Sequence, residues 1–249
     1  MGGGGFCMEP RNPALDDYIL ALARTPVPKV CLLPTASGDG EAQIRQFHAT
    51  FGARCCEPRH IALFRLGSHP LPLPLRETLL AQDVIYVGGG SMLGLLAVWR
   101  ALGLDAILRE CWASGVVLAG LSAGAMCWFE WGISTSLGAP APARGLGLLS
   151  GSLSVHCDGE PARLPVYRHA VRSGAVPPGW AADDGVGLLF RGDALADVVA
   201  SRPRARALRM EPGAETPVAA RRLSARERFG DPPDIVEFRR VSGGPRNLR

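Results

Sequence analysis

Short apolar runs alternate with amphipathic stretches along the first half of the chain, punctuated by Gly, Pro and Asp. The runs at 30–33, 61–64, 84–87 and 116–121 predict strands, and their continuous apolar character suits strands covered on both faces. Helices are predicted between them, over 14–23, 41–51, 75–81, 91–100 and 105–113. In the first of these, Leu15, Ile19 and Leu22 recur at helical spacing and share one stripe. The alternation predicts βα units, hence an α/β fold with a mostly parallel sheet sandwiched by helices.

After Trp131 the pattern changes. Residues 132–160 are rich in Gly, Ser and Pro and predict loops with short strands, whereas 146–155 is an apolar, strand-like stretch. Two runs at 186–190 and 195–200, separated by Arg191-Gly192-Asp193-Ala194, predict a C-terminal β-hairpin. From about Gly213 arginine rises and apolar periodicity fades, although 235–238 predicts an edge strand and 242–249 a frayed tail. The expected organisation is an α/β hydrolytic domain over 1–212 and an Arg-rich, partly disordered extension over 213–249. The four glycines after Met1 have the look of a loop that follows a first strand, and the sheet is expected to lack that strand, with 1–5 unpaired.

Composition narrows the function classes. A chain of 249 residues, 47% hydrophobic, can bury a large core. The net charge is +4, Lys29 is the one lysine, and the arginines are scattered, so no nucleic-acid footprint is expected. Seven cysteines fall mostly in apolar runs with neither metal-ligand spacing nor a disulfide framework, which predicts reduced thiols in a cytoplasmic protein. No apolar stretch reaches the ~18 residues of a membrane span, and no signal-peptide pattern follows Met1. No membrane partner, metal or cofactor is therefore expected.

Chemistry concentrates at Gly120-Leu121-Ser122-Ala123-Gly124, directly after the apolar run ending at Ala119. A strand that turns sharply through serine into a helix is a nucleophile elbow. Small neighbours let substrate approach, and the helix predicted over 123–128 points its N-terminus at a developing oxyanion. A Gly-rich βα turn that merely contains serine is the bland alternative. Serine also needs a base. Of the five histidines, His48 sits in a helix between Phe47 and Phe51, and His60 and His69 precede the elbow. His169 lies among arginines, whereas His156 ends the strand-like stretch and leads into Cys157-Asp158-Gly159, which makes it the preferred base.

Candidates for the acid that orients the base are Asp158, Glu160, Asp183, Asp184, Asp193 and Asp197. Asp184 is preferred because Asp183-Asp184-Gly185 makes a tight turn before a strand, while Asp158 is too close in sequence to His156. The oxyanion donors predicted are the N–H groups of Ala123 and of Gly89 in Gly88-Gly89-Gly90, a segment that could alternatively cradle phosphate. An ordinary α/β-hydrolase would carry its elements in the order Ser, acid, His, but no histidine follows His169, so the order Ser122, His156, Asp184 fits better.

Four segments together resemble the peptidase E family, the S51 serine peptidases: Tyr86-Val87-Gly88-Gly89-Gly90, Gly120-Leu121-Ser122-Ala123-Gly124-Ala125, Val155-His156-Cys157-Asp158-Gly159-Glu160-Pro161 and Ala182-Asp183-Asp184-Gly185. The resemblance covers about residues 2–210 and implies a class I glutamine-amidotransferase-like fold and metal-free hydrolysis after an N-terminal aspartate in small peptides. It implies Ser122 as nucleophile, His156 as base and then acid, and Asp184 as the acidic member. It also implies Gly89 and Ala123 as the oxyanion hole, in a monomer or homodimer. Ser91 stands where the family usually has Asn, and Thr135 where close relatives often have Asp. A non-catalytic relative that binds a small ligand, and an esterase of broader specificity, are the alternatives.

Overall fold

Strands that read as apolar on both sides need a layer on each face, and the fold supplies both. The computed structural model describes residues 1–64 and 74–223. In chain order it runs through α1 (Gly5–Met8), α2 (Ala14–Leu20), β1 (Lys29–Leu33), α3 (Glu41–Phe51) and β2 (Glu57–His60). It continues through α4 (Leu75–Leu80), β3 (Val84–Val87), α5 (Met92–Ala101), α6 (Leu104–Ala113) and β4 (Val117–Gly120). Next come α7 (Ala123–Met126), β5 (Phe129–Ser134), β6 (Ala141–Arg144), β7 (Leu149–Ser154) and α8 (Arg163–Arg172). The last elements are β8 (Gly179–Ala182), β9 (Val186–Arg191), β10 (Ala194–Ala200), β11 (Ala207–Glu211), β12 (Ala214–Val218) and β13 (Arg221–Arg222).

The first sheet is parallel, in the order β2-β1-β3-β4. Alternate residues of its central strands enter two separate cores. Val30, Leu32, Val84 and Tyr86 pack with Phe6, Phe47 and Phe51 beneath α1 and α3. Cys31, Leu33, Ile85 and Val87 pack with Leu95, Trp99 and Leu108 of α5 and α6 on the other side. Each large side chain buried this way contributes roughly 1.5–3 kcal/mol. This is the predicted α/β fold, with a parallel sheet flanked by helices. A mixed sheet of order β12-β11-β8-β7-β5-β6 adjoins it, and α8 covers that sheet through Tyr167, Ala170 and Val171. The predicted hairpin is β9–β10, joined on its outer side by β13.

Several elements differ from the sequence reading. The strand predicted at 61–64 lies one step earlier, as β2, because an exposed edge strand tolerates the polar residues of Glu57–His60. Ile61 and Leu63 then turn into the core, 7% and 3% exposed. The helix behind the elbow is a single turn, Ala123–Met126, and Glu130 lies on β5. Residues 212 and 213 form the turn of the β11–β12 hairpin, whose register runs from Ala207↔Val218 to Glu211↔Ala214. His69, the strand expected at 235–238 and the tail expected at 242–249 lie outside the described residues.

At the glycine-rich start the strand that would lead into the loop is absent among the described residues, but residues 1–3 are not unpaired. Met1 donates its amino group to Gly120 O at 2.8 Å, and its carbonyl accepts the Ser122 N–H at 3.2 Å. Gly2 N–H donates to Val186 O, and Gly3 O accepts the Gly185 N–H. Residues 1–3 thus bridge the ends of β4 and β9 by backbone hydrogen bonds, and Gly5–Met8 is helical rather than loop.

Candidate active site

β4 ends at Gly120, and the chain reverses through Leu121 and Ser122 into α7. Close packing at this turn dictates its glycines. A Cβ on Gly120 would lie 2.0 Å from Gly124 O, and one on Gly124 would lie 2.4 Å from Val87 O. Ser122 takes φ 53°, ψ −118°, a conformation costing a non-glycine residue about 1–3 kcal/mol. The strained turn lifts the half-buried Ser122 hydroxyl off the sheet.

His156 arrives from the end of β7, and it too has a positive φ, 55°. Its Nε2 lies 2.8 Å from Ser122 Oγ. Its Nδ1 lies 2.5 Å from Asp184 Oδ1, in the turn between β8 and β9. Asp184 is 1% exposed and His156 5%. The three predicted residues, spread over 122–184 in the chain, therefore meet at one point, with the hydroxyl outermost. A buried carboxylate at Nδ1 favours the tautomer that leaves Nε2 free to accept the serine proton.

Asp158, set aside as the acid, has a different place. Its Oδ1 accepts the backbone N–H of Asp184 at 2.9 Å, so it supports the carboxylate loop from behind. Asp183 points the other way: its Oδ2 accepts the Arg206 N–H at 3.0 Å, and burial raises its carboxyl above the usual range. Asp193 and Asp197 bond to Ser150 and to Tyr18 and Arg221. Glu160 pairs with Arg163, whose guanidinium also donates to Ile133 O and to Thr135 Oγ1.

The other described histidines lie apart. His48 Nε2 meets His60 Nδ1 at 2.9 Å across α3 and β2, and His169 is exposed on α8. Gly89 stands beside the elbow, where an added Cβ would be 3.4 Å from Ser122 Cβ, and its carbonyl accepts from Gln43 Nε2 at 3.4 Å. Ala123 is the first residue of α7, so its N–H has no partner within the helix. Ser91 serves as the N-cap of α5, its hydroxyl accepting the Gly94 N–H at 3.0 Å.

Two contributors are not evident from motif reading. The Met1 carbonyl holds the Ser122 N–H, and Gly3 makes room for the His156–Asp184 pair. The signal that could have found them is the glycine run itself, since consecutive glycines mark close backbone approach. Among the described residues, no group of three or more His, Cys, Asp or Glu side chains is placed to hold a metal ion. Nor is any helix among them long and apolar enough to cross a membrane.

The model of peptidase family S51 matches residues 1–198. An uncharacterised peptidase of Bacillus subtilis strain 168, YgaJ, is 47% identical over 210 residues, which cover 84% of this chain and 90% of that protein. A crystal structure of a peptidase from an acI-B1 actinobacterium superposes with a TM-score of 0.71 at 20% identity, covering 88% of this chain and 92% of its own. A putative peptidase E protein from Listeria monocytogenes EGD-e gives 0.57 at 16% identity, over 78% of this chain and 95% of its own. The two structures show the shared fold.

Proposed function

The chain belongs to peptidase family S51, and we propose from that premise that it is a serine peptidase working through Ser122, His156 and Asp184. The observation that carries this reading is the continuous chain from Ser122 Oγ through His156, 2.8 Å and then 2.5 Å, to a buried carboxylate. In this reading Ser122 Oγ attacks the scissile carbonyl carbon as its proton passes to His156 Nε2. The oxyanion that forms is held by the N–H groups of Gly89 and Ala123. His156 then gives the proton to the leaving amine, which departs and leaves an acyl ester on Ser122. Water, deprotonated by the same imidazole, cleaves that ester and restores the hydroxyl. The Asp184 carboxylate holds the imidazole in place and stabilises the imidazolium.

The substrate class proposed is a small peptide with an N-terminal aspartate, cleaved after that residue, as the family resemblance implies. The test is a panel of Asp-X dipeptides beside Glu-X, Asn-X and simple esters, with Ser122→Ala as control. Turnover of Asp-X that disappears in the control is the expected result. Ester turnover without peptide turnover would replace the peptidase reading with an esterase, and Asp-X turnover unchanged in Ser122→Ala would remove the mechanism.

A further inference from the structure

Gly88-Gly89-Gly90 leaves β3 with no side chain to fix the direction of its peptides, and glycine has the widest backbone freedom of any residue. A donor aimed at a developing oxyanion must nevertheless be held in place before the reaction begins. The ends of the segment are held by the chain that follows β1. Gly88 N–H donates to Leu33 O at 3.2 Å, and Ser91 N–H donates to Ala36 O at 2.7 Å. Gly90 takes φ 142°, and a Cβ there would lie 2.0 Å from Ala36 O, so only glycine fits the second anchor.

The middle of the segment is braced from α3. Gln43, half-buried in the first turn of that helix, donates from Nε2 to Gly89 O at 3.4 Å. Its amide also packs on the preceding residue: a Cβ on Gly88 would lie 2.0 Å from Gln43 Oε1 and 3.1 Å from Nε2. Two neighbours hold the amide in turn, with Ser37 Oγ 3.3 Å from Oε1 and Cys7 Sγ 3.6 Å from Nε2. A carbonyl can only accept, so Gly89 O selects the amide orientation that turns the NH2 group toward it.

We propose that Gln43 is a positioning residue for catalysis: by holding the Gly89 carbonyl and bearing on Gly88, it keeps the Gly89 N–H aimed at the oxyanion. The inference rests on the proposed serine mechanism and on Gly89 as one of its two oxyanion donors. Gln43 acts through the backbone of Gly88 and Gly89, not on the reacting atoms. The oxyanion arises only as the reaction proceeds, so loss of the brace weakens transition-state binding and spares binding of the substrate itself. A bond of 3.4 Å is a long one. Its loss is therefore set at about tenfold, below the roughly 10²–10³-fold cost of deleting an oxyanion donor outright.

The test compares Gln43→Met, which keeps the length of the side chain and removes the amide, with Gln43→Glu, which turns an acceptor toward Gly89 O. Gln46→Met is the control, on the same helix at a side chain bonded to Thr50. The assays use whichever peptide or ester of the panel the parent turns over. Gln43→Met is expected to lower kcat about tenfold and Gln43→Glu further, with KM within about twofold of the parent and Gln46→Met unchanged. A fluorophosphonate, from which Ser122 Oγ displaces fluoride, places its phosphoryl oxygen in the same hole. Its rate of labelling is expected to fall by the same factor in each variant.

Parent-like kcat in Gln43→Met would overturn the proposal, as would a loss seen only in KM or shared by Gln46→Met. Ser122→Ala, run alongside, tells the two levels apart. Turnover that persists in Ser122→Ala removes the serine mechanism and this inference with it. An inactive Ser122→Ala beside a parent-like Gln43→Met removes the inference alone.

Discussion

Gly3 rests directly on Asp184: a Cβ there would lie 2.0 Å from Asp184 Oδ1 and 3.0 Å from His156 Cε1. The carboxylate and imidazole can meet at 2.5 Å only because this backbone carries no side chain. Gly3→Ala is therefore expected to push the pair apart and lower kcat by about 10²-fold, the scale of a displacement of about 1 Å in a catalytic array. Steady-state kinetics with a thermal melt check it; full activity in a folded variant would contradict it.

Asp184 and Asp158 should separate cleanly by mutation. Asp184→Asn is expected to lower kcat by about 10³–10⁴-fold, because an amide no longer enforces the required tautomer of His156. Asp158→Asn removes only a carboxylate that accepts the Asp184 N–H at 2.9 Å, and a loss of about tenfold or less is expected. Comparable losses in the two variants would show that the acid is wrongly assigned.

His156→Ala is expected to lower kcat by about 10³-fold or more, while His169→Ala leaves it unchanged, since His169 is exposed on α8. Single-turnover assays with both variants check this. A large loss in His169→Ala would point to a different base.

Asp16 should shape the pH dependence of stability. It is fully buried beneath α1, accepts from Tyr86 Oη at 3.3 Å, and burial raises its carboxyl pKa from 3.8 to about 7. The folded state then holds a proton that the unfolded state has released, so stability falls as pH rises from about 4 to 7 and is level above that. Asp16→Asn is expected to abolish the fall, gaining up to about 4 kcal/mol on the parent between pH 4 and pH 8. Contributions such as the Met1 amine are common to both chains and cancel. Urea melts at several pH values check it, and parallel pH profiles would refute it.

Arg163, 2% exposed, ties Glu160 to Ile133 O and Thr135 Oγ1 just behind His156. Arg163→Ala leaves a buried carbonyl without its donor and is expected to cost about 2–4 kcal/mol in a urea melt. Glu160→Gln, at a side chain one-third exposed, is expected to cost about 1 kcal/mol or less.

Much of this could be read from one dimension. The strands at 30–33, 84–87 and 116–121 are legible because burial on both faces demands apolar residues at every position. The elbow is legible because a strained turn packed against β3 admits only small neighbours around Ser122. The order of Ser122, His156 and Asp184 separated this chain from an ordinary α/β-hydrolase without any contact being known. β2 was misplaced because an exposed edge does not require apolar residues, so its pattern carries little information.

Other features depend on chain segments far apart in sequence, and no local pattern encodes them. Turn chemistry favours Asp184 over Asp158, but only the register of β7 on β8 puts one against Nδ1 and the other behind its loop. The glycine run after Met1 looks like a spare loop until Gly3 is found against Asp184, 181 positions away. Periodicity and turn chemistry act over a few residues, whereas convergence of side chains and the pairing of strand edges are set by how whole elements pack.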